Sequence, residues 1–127
     1  MREKPLILIV DDDNFLAEVL ATKLAGSGFS ILRAGNGKIG CEMAKKEKPD
    51  LVLLDLRMPV MDGAEVLEKL KGDPETKNIK VLILSVFNEW SNVKLTKETA
   101  NKLGAIDFME KSVDLGELVR KVRLVLT

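Results

Sequence analysis

Histidine is absent from this chain, which removes imidazole acid–base catalysis, imidazole metal ligation and any role as a phosphohistidine donor. Whatever chemistry occurs falls to carboxylates, hydroxyls and lysines. Cysteine occurs once, at Cys41, so no internal disulfide can form; its place on a predicted apolar helix face favours packing over reactivity, and a reducing, cytoplasmic setting fits. Net charge is lacking too: 20 Lys plus Arg balance 20 Asp plus Glu, so nothing advertises nucleic acid or an anionic membrane as a partner. The apolar run from Leu6 to Val10 is cut short by Asp11-Asp12-Asp13, too early for a signal peptide or a membrane span. Linker-like, repeated and low-complexity stretches are missing as well, which predicts one domain over residues 1–127.

What is present alternates. Five runs are apolar nearly throughout, Leu6 to Val10, Phe29 to Leu32, Leu51 to Leu54, Val81 to Leu84 and Ala105 to Met109, as suits strands buried on both faces. Between them lie segments of helical spacing, such as Leu16, Leu20 and Leu24, or Leu115, Leu118, Val119 and Val122. Helix starts are marked by Asp13 or Asn14, by Asp62 with Glu65, and by Asp114 with Glu117. Gly26 and Gly28, Gly72 and Gly104 mark helix ends. The order βαβαβαβαβα implies an α/β fold, a parallel sheet with helices on both faces. In such sheets ligands bind beyond the carboxyl ends of the strands, near the point where strand order reverses.

The residues just past the predicted strands are Asp11 and Asp12, Asp55, Ser85 and, slightly further on, Lys111. All five belong to one sheet edge, to which the second strand, ending near Arg33-Ala34-Gly35, adds nothing obvious. Three carboxylates brought within about 5 Å would repel by roughly 3 kcal/mol per pair at an effective dielectric near 20. Such a cluster calls for a dication, and an all-oxygen donor set with few carboxylates suits magnesium better than calcium. With the ion in place a carboxylate can attack a phosphoryl group. Asp55, on the middle strand, is the expected nucleophile, with Lys111 as a second cation and Ser85 as a hydroxyl donor to the phosphoryl oxygens.

Around Asp55 the chain reads Leu53-Leu54-Asp55-Leu56-Arg57-Met58-Pro59-Val60-Met61-Asp62-Gly63. With Asp11-Asp12, Ser85 and Lys111, this resembles the response-regulator receiver domains of two-component phosphorelay signalling, over the whole chain. The resemblance implies a flavodoxin-like doubly wound (βα)5 fold with strand order 2-1-3-4-5. It implies phosphorylation of Asp55 by a sensor histidine kinase or a histidine phosphotransfer protein, with no conventional enzymatic turnover. Asp12, Asp55 and the backbone carbonyl of Arg57 would ligate Mg2+, Asp11 mostly through water. Ser85 and Phe108 would be switch residues that alter the face of the fourth helix, fifth strand and fifth helix. That face would meet a downstream protein target, an output domain or a second copy, with no direct contact to nucleic acid or membrane.

Some positions depart from that pattern. Ser112 follows Lys111 where receivers usually carry a cis-proline, and a cis bond without proline is costly. The stretch from Ser85 to Lys111 is longer than usual, with Phe87-Asn88-Glu89-Trp90 as the expected extension. Val86 stands where the family usually has a small residue, and Arg57 and Phe87 occupy the two positions that flank the phosphoryl site. All three are bulky, which predicts slow hydrolysis by an attacking water. Taken singly, the features have plainer readings: Asp11-Asp12-Asp13 as a solvated helix cap, Ser85 as a loop residue, Lys111 as a surface charge, Phe108 and Trp90 as packing. Two rival functions are a receiver-fold binding module that takes no phosphate and a haloacid-dehalogenase-type phosphatase using Asp11 as nucleophile. The intact acidic site argues against the first; Phe15 in place of the Thr or Val of that phosphatase family, the lack of room for its usual cap and an unexplained Asp55 argue against the second.

Overall fold

β1 (Leu6–Val10), β2 (Ser30–Ala34), β3 (Leu51–Asp55), β4 (Lys80–Ser85) and β5 (Asp107–Glu110) form one parallel sheet in the order β2-β1-β3-β4-β5. The structure is a computed structural model that describes residues 3–55, 63–85, 101–102, 104–110 and 114–127. Crossovers run through α1 (Asn14–Gly26), α2 (Gly37–Glu47) and α3 (Gly63–Gly72), and the C-terminal helix spans Leu115–Leu126. The fourth helix expected from the sequence lies outside the described residues, apart from helical Asn101 and Lys102.

Alternation along the strands divides the core into two layers. Leu8, Val10, Val52, Leu54, Val81 and Ile83 face α2 and α3, meeting Ala44, Val66, Leu67 and Leu70. Ile7, Ile9, Leu51, Leu53, Leu82 and Leu84 face α1 and the C-terminal helix, meeting Ala17, Leu20, Leu24, Leu118, Val119 and Val122. Each buried Val, Leu or Ile side chain contributes about 1.5–3 kcal/mol by leaving water. The helices are also fastened by polar contacts. Lys80 Nζ donates to the Val125 carbonyl at 2.6 Å, and Lys121 pairs with Asp107 across the C-terminal helix and β5. Lys71 Nζ donates to the carbonyls of Lys77 and Ile79 at 3.0 and 2.6 Å.

Strand limits differ from the sequence reading in a consistent way. β2 starts at Ser30 rather than Phe29 and runs to Ala34; as an edge strand it is only partly buried, so the expectation of two covered faces fails there. β3 and β4 include Asp55 and Ser85 as their last residues rather than ending before them. β5 begins at Asp107, with Ala105 buried just before it. The caps follow local hydrogen bonding. Asp13 accepts from Leu16 N at 3.0 Å, Asn36 from Ile39 N at 2.9 Å, and Asp114 from Gly116 N at 2.5 Å. Asp114 thus caps one residue nearer than a capping box would require, and the Asp62 cap lies outside the described residues.

Gly26 and Gly72 end their helices, while Gly28 and Gly104 adopt positive φ, 101° and 103°. α2 closes on Lys48 at φ 50°, a left-handed residue that is not glycine. Gly40 is required by proximity: a Cβ there would lie 2.9 Å from both methyl groups of Val10, so α2 rests directly on the end of β1. Among the described residues no helix is long and apolar enough to cross a membrane.

Candidate functional site

Register brings the site together. Val10 pairs with Leu54 across β1 and β3, so Asp11 and Asp55 follow side by side at the carboxyl ends of adjacent central strands. Here the chain leaves β1 toward β2 on one side while β3 lies on the other, which opens the crevice expected at a strand-order reversal. Strand alternation puts Asp55 on the face of Leu51 and Leu53, and Asp11 on the face of Ile7 and Ile9, which is the α1 side of the sheet.

Asp11, Asp12 and Asp55 each present a carboxylate oxygen, all within 4.8 Å of one another. Asp11 and Asp55 are 3% and 4% exposed, whereas Asp12 is exposed. The cluster is therefore two sunken carboxylates with a third at the rim. At this separation the Asp11–Asp55 repulsion is about 3 kcal/mol or more at an effective dielectric of about 20. A divalent cation offsets that repulsion. The donors are all hard carboxylate oxygens, without sulfur or imidazole, and their spread approaches the roughly 4 Å that separates opposite ligands of octahedral magnesium. The three residues thus fit Mg2+.

The loop that carries Asp12 is held by its neighbours. Asp11 N donates to the Ala34 carbonyl at 3.1 Å, and Asp11 Oδ1 accepts from Asp13 N at 2.9 Å. Asp13 serves as the cap of α1, accepting from Leu16 N. The sequence reading gives β2 no site residue; in the structure β2 tethers the neighbouring loop, since the Ala34 carbonyl accepts from Asp11 N and Arg33 Nη2 donates to the Asn14 carbonyl at 3.0 Å. The signal available in the sequence was only the nearness of Arg33 to the end of an apolar run.

Of the other expected site residues, the backbone of Ser85 is placed at the end of β4, opposite Glu110 and one step beyond the Asp55–Leu84 pair. The Phe108 backbone pairs with Ile83 on β5. The side chains of Ser85 and Phe108 lie outside the described residues, as do Arg57, Val86, Phe87, Trp90, Lys111 and Ser112. Cys41 is half-buried against the α2–α3 core layer, and burial pushes its thiol pKa up, in keeping with a packing role.

Comparison with known proteins accords with this geometry. The family model described as "Response regulator receiver domain" matches residues 7–123. Sporulation initiation phosphotransferase F of Bacillus subtilis is 37% identical over 118 residues, covering 93% of this chain and 89% of that protein. The DNA-binding dual master transcriptional regulator RpaA of Synechocystis is 33% identical over 122 residues, 96% of this chain; the chain spans only 49% of that relative's length. Among solved structures, the Francisella response regulator 1452 receiver domain superposes with a TM-score of 0.84 at 28% identity, covering 97% of each chain.

Proposed function

The chain belongs to the response-regulator receiver family, and from that premise we propose that Asp55 is its phosphoryl acceptor, served by a magnesium site of Asp11, Asp12 and Asp55. As a receiver it works in phosphorelay signalling rather than as a conventional enzyme. The supporting observation is the convergence of three carboxylates within 4.8 Å at the end of the two central strands.

The reaction follows from that arrangement. An Asp55 carboxylate oxygen attacks the phosphorus of a phosphohistidine; the new O–P bond forms as the P–N bond breaks, and the histidine leaves with the electron pair. When bound, Mg2+ would neutralise charge on the transferring oxygens and favour in-line attack. Asp11 and Asp12 lie beside Asp55 and would hold the cation next to it. Lys111, directly after β5, would give a second positive charge to the phosphoryl oxygens, and Ser85, at the end of β4, a hydroxyl donor. Arg57 would add its carbonyl oxygen to the metal. Phosphorylation would be read out through Ser85 and Phe108 by a change of partner at the face that includes β5 and the C-terminal helix.

The partners follow from the same reading: a histidine kinase or histidine phosphotransfer protein as donor, and a protein target or output domain as receiver of the signal, in the cytoplasm. The test is incubation with a small phosphodonor and Mg2+, followed at once by intact mass measurement. One phosphoryl adduct is expected, dependent on Mg2+ and lost in Asp55→Asn. An adduct retained in that variant, or none in the parent protein, contradicts the assignment; the latter result favours a binding module that takes no phosphate.

A further inference from the structure

We infer that Arg33 is a positioning residue for the metal site, fixing the Asp12-bearing loop from the neighbouring edge strand through its hydrogen bond to the Asn14 carbonyl. The inference rests on the proposed magnesium site and extends it beyond the residues that would touch the ion. Arg33 is paired in register with Ile9. Because parallel partners point to the same face of a sheet, its side chain leaves β2 on the α1 side. From there Nη2 reaches the first turn of α1 and donates to Asn14 O at 3.0 Å, across 19 residues of sequence.

The placement matters because of how the three carboxylates differ. Asp11 and Asp55 are buried and are held by the sheet, whereas Asp12 is exposed and lies past the end of β1. Its position is set by the short segment Asp11-Asp12-Asp13-Asn14. One end of that segment is tied to β2 by Asp11 N to Ala34 O; Arg33 ties the other end to the same strand. Between the ties the segment is braced by Asp11 Oδ1 with Asp13 N, and by Asp13 Oδ1 with Leu16 N. A charged donor on a carbonyl makes a stronger hydrogen bond than a neutral one, and partners that orient metal ligands from outside the coordination sphere commonly govern affinity.

This role differs in sign from that of a mere nearby cation. Removing a positive charge from the neighbourhood of a dication site would, by relief of Coulomb repulsion alone, tighten binding of the dication. Loss of positioning would weaken it. The experiment is calorimetric titration of MgCl2 into the full chain at constant ionic strength, for the parent, Arg33→Met and Arg33→Lys, with amide hydrogen exchange measured on the same proteins. Arg33→Met is expected to weaken Mg2+ binding about three- to tenfold, below the roughly 10- to 100-fold typical of partners bonded directly to a ligand, because Arg33 acts on Asn14 rather than on a ligand. Exchange at the Asp13 and Leu16 amides should quicken while the thermal midpoint is held, and Arg33→Lys, which keeps a charged donor, should recover most of the affinity. Unchanged or tighter Mg2+ binding in Arg33→Met overturns the inference. If the parent itself binds no Mg2+, the magnesium reading fails separately, and the exchange rates alone decide whether Arg33 holds the loop: unaltered rates overturn it, faster rates support it.

Discussion

At the scale of single residues, the cluster at the end of β1 and β3 is a site of like charges held together by the sheet. Asp11 and Asp55 are both buried and lie within 4.8 Å, so without a cation their mutual repulsion acts against folding. Asp55→Asn should therefore raise stability in metal-free buffer, by about 1–3 kcal/mol once the screening of a crevice open at Asp12 is allowed for. Added Mg2+ should raise the thermal midpoint of the parent far more than that of the variant. Thermal denaturation with and without Mg2+ checks both; a destabilised Asp55→Asn would show that the carboxylate is held by attraction instead.

Lys71 gives a pH prediction at the same scale. Burial lowers its pKa below the ordinary lysine range, so in the window between the folded and unfolded values the unfolded chain binds more protons. Stability then rises with pH across that window, and the cost of the buried charge is fully present below the folded value. In denaturant titrations at stepped alkaline pH, the parent should gain stability relative to Lys71→Met as pH climbs toward the ordinary lysine value. Parallel pH profiles for the two proteins would contradict the shift.

At the scale of elements, close approach decides what can change. α2 lies against β1 with no room for a Cβ at Gly40, since one would come within 2.9 Å of the Val10 methyl groups. Gly40→Ala should cost about 1–3 kcal/mol through overpacking, and Val10→Ala in the same chain should give back part of that loss. A double-mutant cycle by urea unfolding reads the coupling, and strict additivity would refute the contact. Gly104 combines φ 103° with the stem of Lys71, which a Cβ there would meet at 2.9 Å. Gly104→Ala should lose about 1–3 kcal/mol, the usual range for a left-handed residue forced on a side chain, measurable by the same unfolding experiment.

The elements also show what a sequence can and cannot reveal. β1, β3 and β4 were legible because central parallel strands are covered on both sides, so burial writes a continuous aliphatic run. β2 was blurred because an edge strand is covered less, and its run from Ser30 to Ala34 includes exposed Ser30 and Arg33. The end of α2 was missed because Lys48 takes the left-handed conformation that the glycine rule assigns elsewhere. Asp11, Asp12 and Asp55 were legible as a cluster because strand ends in a parallel sheet share one edge whatever their separation in the chain. Arg33 was not, since a hydrogen bond across 19 residues depends on side-chain reach that no local pattern records.

At the scale of the whole molecule, two apolar layers lock the sheet between α1 with the C-terminal helix and α2 with α3. That rigid frame leaves the polar chemistry at one edge, where the carboxyl ends of the central strands bring the acidic residues together. On the proposed reading, function depends on which carboxylate takes the phosphoryl group as an acyl phosphate, since an oxygen of each of Asp11, Asp12 and Asp55 lies within 4.8 Å of the others. The most direct measurement is trapping of the acyl phosphate: treat the chain with phosphodonor and Mg2+, reduce it with borohydride, and sequence the peptides by tandem mass spectrometry. Conversion of aspartate to homoserine is expected at position 55 alone. Conversion at position 11 or 12, with residue 55 still aspartate, would contradict Asp55 as the acceptor.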